Sequence, residues 1–336
     1  MTSGDDGISA ISSVAYGFMG SQALFAALEL DVFTELAAEP ADSDRLAAML
    51  GVPSSPLKTL LAACLALGLL ERDGEHYRNT PGAGRYLVRG ARRYVGDYYL
   101  RQVATLLYPQ VPLARAAVRG ETMGPTTYFN FLDDPHRAEE FIRGQHNGSA
   151  GPAYLLARTL DLTGNSRLAD LGGGSGAFAI EMVRHHPGLS AVVLDHPKVI
   201  EVARKIIAKA GLADRIACVA GDVLTDPWPA RTDVLLLSYV VSSYSQQALR
   251  RILAQTHQHL PPGGRLIIHD FALHADRPGP RNSAQWFFAN LSISARTHPH
   301  TVLEIVSSLE AAGYTEVTAQ PHVPDVTFLF TARKPA

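Results

Sequence analysis

The sequence predicts an α/β fold, a Rossmann-like doubly wound sheet preceded by an α-helical winged-helix domain, on three observations. Leu168-Ala-Asp-Leu-Gly-Gly-Gly-Ser-Gly-Ala177 reads as a buried strand turning through glycines into a helix, and Val192-Val-Leu-Asp-His196 as a second strand ending in an acid. Together they form the first βαβ unit of a nucleotide-binding sheet. From Arg167 onwards, strand patterns at 167–171, 191–195, 216–220, 233–238 and 265–270 alternate with helical ones, and a terminal pair follows near 315–319 and 326–332. That alternation belongs to a parallel sheet covered on both faces. Residues 8 to 95 read instead as helices followed by a short hairpin. The expected domains are 1–95 and 96–336, with 96–160 a helical linker roofing a pocket.

The first domain is built from amphipathic segments. Leu24-Phe-Ala-Ala-Leu-Glu-Leu30 and Val32-Phe-Thr-Glu-Leu36 carry apolar faces at helical spacing, and two further helices each open on a capping-type serine, Ser43 and Ser55. Leu69 to Asn79 is two short strands around an Asp-Gly turn. Such a winged helix can read a DNA groove. Its second helix, Ser54 to Leu67, holds a single Lys58 and no Arg, Asn or Gln to reach base edges. Dimerisation is the expected role.

Composition narrows the partners. The chain has 336 residues, 46% hydrophobic, and a formal charge of −2 from 30 basic and 32 acidic residues. That excludes the basic field of nucleic-acid binders and points to a small, roughly neutral substrate. The two cysteines, Cys64 and Cys218, sit in apolar runs and read as core residues. The N-terminus lacks a basic segment followed by an apolar one, and the apolar run Leu60 to Leu70 is too short to span a bilayer. The expectation is a soluble cytoplasmic protein with no membrane or nucleic-acid partner.

The glycine loop names a cofactor. Asp170 before Gly172, Gly173 and Gly174 would repel a pyrophosphate but suits a ligand with a cationic amino-acid end, and S-adenosylmethionine is such a ligand. Asp195, at the carboxyl end of the second strand, is placed to accept ribose hydroxyls. Gly221-Asp222-Val223 ends the third strand, with Asp222 for the adenine amino group and Val223 for its ring. After the fourth strand comes Ser238-Tyr-Val-Val-Ser-Ser-Tyr244, which offers an aromatic cover.

With Leu30-Asp-Val-Phe33, Leu194-Asp-His-Pro197, Pro262-Gly-Gly264 and Ala312-Gly-Tyr314 added, nearly the whole chain resembles the plant-type O-methyltransferase family in its bacterial natural-product branch. The resemblance implies an S-adenosylmethionine-dependent methyltransferase of small aromatic intermediates, working as a homodimer. By position, Gly172 to Gly174 would hold the methionine end, Ser238 would lie beside adenine, and Tyr244 would replace a stacking tryptophan. The family's usual His-Asp-Trp run, whose histidine deprotonates the acceptor, aligns with Ser242-Ser243-Tyr244. Its two orienting glutamates fall on Asp270 and Pro299.

The missing base leaves both O- and C-methylation open. It also leaves an alternative, in which bound S-adenosylmethionine serves a non-methylating rearrangement or hydroxylation. His146, Asp270 and His298 are the candidate catalytic groups; His300 also flanks Pro299, and His269 should face away from Asp270. Pocket walls are expected from Tyr99, Gln102, Phe129, Gln145, Ser242, Trp286, Phe287 and Asn290. No metal site is expected: no His-x₃-His pair occurs, and His274-Ala-Asp276 lies in a Pro/Gly-rich loop.

Overall fold

The computed structural model describes residues 7–121, 132–294 and 297–336. The chain divides into two compact units, Met1–Ala104 and Thr105–Ala336. The division falls inside a π-helix, Tyr99–Leu107, rather than at residue 95.

In the N-terminal unit, α1 (Ile8–Glu29), α2 (Val32–Ala38), α3 (Ser43–Leu50) and α4 (Ser54–Ala66) pack around Leu28, Phe33, Leu46, Leu61 and Cys64. Asp31, at φ 56°, makes the sharp turn between α1 and α2. The expected serine caps give way to other groups. Asp42 caps α3, its carboxylate accepting from the Asp44 and Arg45 N–H groups, because an ionised acceptor beside two free amides outcompetes a hydroxyl. The α4 helix begins after Pro53 with no side-chain cap. Strands β1 (Leu70–Asp73) and β2 (His76–Asn79) pair antiparallel, Ala41 bridges to Tyr77 to complete the wing, and α5 (Pro81–Tyr86) follows.

One face of α1 is apolar and open to solvent. Ile8, Ile11, Val14, Tyr16, Phe18 and Met19 are all exposed. By length and composition alone, this 22-residue helix would suffice to cross a membrane.

The second unit is a seven-stranded sheet of β3 (Arg167–Leu171), β4 (Ser190–Asp195), β5 (Ile216–Ala220), β6 (Val234–Ser238), β7 (Arg265–Asp270), β8 (Thr315–Pro321) and β9 (Phe328–Arg333), in the order β5-β4-β3-β6-β7-β9-β8. Strands β3 to β7 are parallel, and β9 runs antiparallel between β7 and β8. Two-residue alternation sorts the strands onto two cores. Leu168, Val234 and Leu236 join one, with Phe141, Met182 and Ile200; Ala169, Leu171, Leu235 and Leu237 join the other, with Leu249, Ile252 and Ile305. The covering helices are α6 (Pro135–Thr159), α7 (Ala177–His185) and α8 (Pro197–Lys209) on the first core, with α9 (Gln246–His259) and α11 (Val302–Ala311) on the second. The chain winds outward from β3 through β4 to β5, then returns to β6 on β3's other side. That reversal opens a crevice at the carboxyl ends, where open α/β sheets bind ligands. Helix α10 (Arg281–Asn290) precedes the loop into α11.

Candidate active site

The glycine loop joins β3 to α7 at the crevice. The Gly172 N–H donates to the Leu194 carbonyl at 2.8 Å, tying the loop to β4. A Cβ at Gly173 would lie 2.5 Å from the Asp170 carboxyl carbon, so a side chain there would push the acid from its place. Gly172 holds φ 70°, and its Cβ would meet Val240 at 2.9 Å and Val223 at 3.8 Å. Val223 and Val240 follow β5 and β6, so three strand ends converge on this one point.

Asp170 is fully buried, and neither of its carboxylate oxygens meets a hydrogen-bond donor in bonding geometry. Burial pushes its carboxyl up to about 7, with the nearby Ala179 N–H opposing and the Asp195 charge adding to the rise. An isolated buried carboxylate is costly unless a cation or donor meets it. Asp195 is engaged: Oδ2 accepts the Gly174 N–H at 2.8 Å, and Oδ1 accepts the His196 N–H at 2.7 Å. Burial also raises its pKa.

At the third strand end, the Gly221 N–H donates to the Asp195 carbonyl. The following turn is held by two residues the sequence analysis missed. Asp226 accepts the Asp222 N–H at 2.8 Å, and the Trp228 indole donates to the Val223 carbonyl at 2.9 Å. Asp222 Oδ1 accepts the Leu224 N–H, leaving Oδ2 for a ligand. The signal for Asp226 and Trp228 was an acid and a tryptophan within eight residues of the end of β5, which the motif alone does not single out. Asp226→Ala is expected to weaken cofactor binding by about tenfold or more, the worth of one charge-assisted hydrogen bond. Calorimetry on the folded variant checks this.

At the fourth strand end, Tyr239 takes φ 58°, a strained conformation for a bulky residue, and packs against Phe178, His269 and Phe271. A short 3₁₀ turn, Val241–Ser243, follows. Asp270 anchors it: Oδ2 accepts the Val241 and Ser242 N–H groups at 2.7 and 3.2 Å, and Oδ1 accepts the Phe271 N–H. Burial lifts Asp270 to about 6 against these donors. The Tyr244 phenol is pushed up to about 12, first by burial and then by the charges of Asp222 and Asp195, and its side chain packs against the core cluster that holds Val223 and Val240.

Asp170, Gly172, Gly173, Gly174, Asp195, Gly221, Asp222, Val223 and Tyr244 thus share one sheet edge. Ser238, expected beside adenine, is buried at the end of β6, and its hydroxyl bonds His269 Nδ1 at 2.9 Å. His269 is wholly buried, bonds Thr327 through Nε2, and is held well below the usual histidine range by burial. His146 lies on α6 with Nδ1 bonded to Ser175 of the glycine loop at 2.9 Å, and the Gln145 amide lies against Gly174. Ser242 is buried against Asp270. Trp286 stacks on Phe271, Phe287 is core, and the Asn290 amide nitrogen is buried with no partner. His298 bonds Glu304. Tyr99 and Gln102 belong to the N-terminal unit, where Gln102 is buried. Phe129 lies outside the described residues.

The residues present fit S-adenosylmethionine on the structure's own terms. Asp170 is an uncompensated anion beside a loop that a single Cβ would block, so it suits a cationic amino-acid end and repels phosphate. Acids at the next two strand ends can accept the ribose hydroxyls and the adenine amine. A sheet of this order with such an edge defines an S-adenosylmethionine-dependent methyltransferase.

The comparisons agree. The O-methyltransferase domain family matches residues 113–315, and the O-methyltransferase dimerisation domain matches residues 12–89. The chain therefore belongs to the O-methyltransferase family. It is 37% identical to the 3-hydroxy-5-methyl-1-naphthoate 3-O-methyltransferase of Streptomyces sahachiroi over 91% of this chain and 89% of that protein. It is 34% identical to the tetracenomycin polyketide synthesis 8-O-methyl transferase of Streptomyces glaucescens over 97% and 96%. Human N-acetylserotonin methyltransferase, solved with SAM, superposes with a TM-score of 0.84 at 25% identity over the whole of both chains.

Proposed function

We propose that this chain methylates an acidic hydroxyl of a fused-ring aromatic polyketide, with the acceptor supplying its own anion. The observation that carries this reading is the commitment of the candidate bases. His146 is bonded to the glycine loop, His269 is sealed between Ser238 and Thr327, and Asp270 is spent on backbone amides. His298 is paired with Glu304, and His300 donates Nε2–H to the Tyr244 carbonyl while its Nδ1 is sealed in the interior. The two bacterial relatives act, by their names, on a naphthoate and in tetracenomycin synthesis, which supports a fused aromatic acceptor. Both are methyltransferases, and neither supports the rearrangement or hydroxylation alternative.

Bound S-adenosylmethionine supplies a methyl group already activated by its sulfonium. The chain's own residues have two tasks. Asp170, the glycine loop, Asp195 and Asp222 hold the donor still, while Asp270 fixes the Val241–Ser243 turn as a polar floor for the acceptor, acting as a positioning residue. Alignment of the two partners then provides most of the acceleration. An ordinary phenol of pKa about 10 is ionised only about one part in a thousand at neutral pH. A hydroxyl conjugated with a carbonyl recovers much of the ~10²–10⁴-fold that a protein base would contribute. The exposed apolar face of α1, which from Val14 onwards lies within the dimerisation match, is read as the surface that meets a second copy of the chain in a homodimer.

Two acceptors whose hydroxyl pKa values differ by about two units test this. The expected pH–rate midpoint shifts with the acceptor, and the product is a methyl ether by NMR. A midpoint common to both acceptors would restore a protein base, and a new carbon–methyl bond would replace O-methylation.

A further inference from the structure

We infer that His298, His300 and Glu304 form a binding site for a divalent transition-metal ion of the Zn²⁺ class, in the loop that closes against the Tyr244 turn.

Three features carry it. Each residue offers one ligand atom, and these atoms lie within 4.8 Å of one another, while the two imidazole centroids are 4.8 Å apart. His300 is fully buried, and its Nε2 bonds the Tyr244 carbonyl at 2.9 Å, so that nitrogen carries the proton. Its Nδ1 is then an unprotonated lone pair, buried and without a hydrogen-bond partner. Outer support of a ligating imidazole by a backbone carbonyl is the usual arrangement in metal sites.

Glu304 is prepared in the same way. Its Oε2 accepts the Thr301 N–H at 2.8 Å and the Thr301 hydroxyl at 3.1 Å, in the capping box that opens α11. Oε1 remains for a metal and at present faces His298 Nε2 at 3.2 Å. Two neutral imidazoles and one carboxylate make a three-ligand set with an open fourth position, a recurring zinc arrangement. Ligand atoms around tetrahedral zinc stand ~3.3 Å apart, so the trio needs only to draw together. His298 and Glu304 remain about one-third exposed, which gives the ion an entry path. The N-terminus of α11 disfavours a cation, and the Glu304 carboxylate, itself a ligand, offsets this.

The spacing, His-x-His-x₃-Glu, matches no familiar ligand pattern. It becomes a ligand set only because the Thr301 cap turns the chain so that Glu304 reaches back towards His298. The ion would clip this loop to the turn that bears Ser242 and Tyr244. The inference does not depend on which acceptor is methylated, and its test does not use activity.

The experiment is calorimetric titration of tag-free, chelator-treated full-length protein with Zn²⁺. Co²⁺ absorption serves as a second readout and circular dichroism as a check on folding. The wild type is expected to take up one equivalent per chain, with Co²⁺ giving the visible bands of a four-coordinate nitrogen–oxygen site. His300→Ala and Glu304→Gln should each weaken binding by about a hundredfold or more, and Thr301→Val by about tenfold through Glu304. Glu304→Gln keeps the capping acceptor, so its loss of metal is separable from loss of the helix. No uptake by the wild type, or uptake unchanged across the folded variants, overturns the site.

Discussion

Asp195→Ala is expected to abolish S-adenosylmethionine binding in calorimetry, a loss of at least about a hundredfold. Hydrogen bonds to an ionised group contribute ~1.5–3 kcal/mol each. Two ribose hydroxyls on one carboxylate therefore account for roughly 3–6 kcal/mol, or ~10²–10⁴ in affinity. The variant also loses an internal contact, because Asp195 accepts the Gly174 N–H and so shapes the loop that must hold the methionine end. Asp195→Asn keeps the shape and one acceptor, and should fall between the two. Unchanged affinity in the alanine variant would sink the assignment of this edge to the cofactor.

Asp170→Asn should move stability and cofactor affinity in opposite directions. The Asp170 carboxyl sits at about 7, against an ordinary 3.8. A folded-state acid with a raised pKa leaves the native protein holding the extra proton, so stability falls as pH rises from about 4 and the full penalty is present above about 7. At ~1.4 kcal/mol per unit, that penalty is of order 4 kcal/mol. Asparagine removes the charge but buries an amide with few partners, which returns ~1–3 kcal/mol. The cofactor-free variant should therefore melt higher than the wild type near pH 8, with the gap shrinking near pH 5. Its affinity for S-adenosylmethionine should fall steeply, since a neutral amide does not balance an ammonium group. A variant less stable than the wild type at both pH values would contradict the reading of Asp170 as a stored, uncompensated charge.

The sheet was legible because its signals are local and strong. Buried runs bounded by turns placed β3 at 167–171 and β5 at 216–220, and parallel register then carries Asp195, the last residue of β4, and Asp222, after β5, to one edge. What was not legible depends on which partner a polar group finds across the fold. Ser238 is adjacent to the crevice in sequence, yet His269 from the neighbouring strand captures its hydroxyl. His146 bonds Ser175 because α6 packs against the glycine loop, a tertiary contact that no spacing on α6 reveals. Asp226 and Trp228 matter only once the turn after β5 has closed. The π-helix Tyr99–Leu107 and the unpartnered apolar face of α1 likewise arise from tertiary context, since their composition reads as ordinary helix.

Gly173 and Asp170 occupy the same space by turns, because a methyl group at one would strike the carboxyl of the other. A larger residue at 173 has to displace the Asp170 carboxyl, so the size of one position and the placement of the charge at the other are set together.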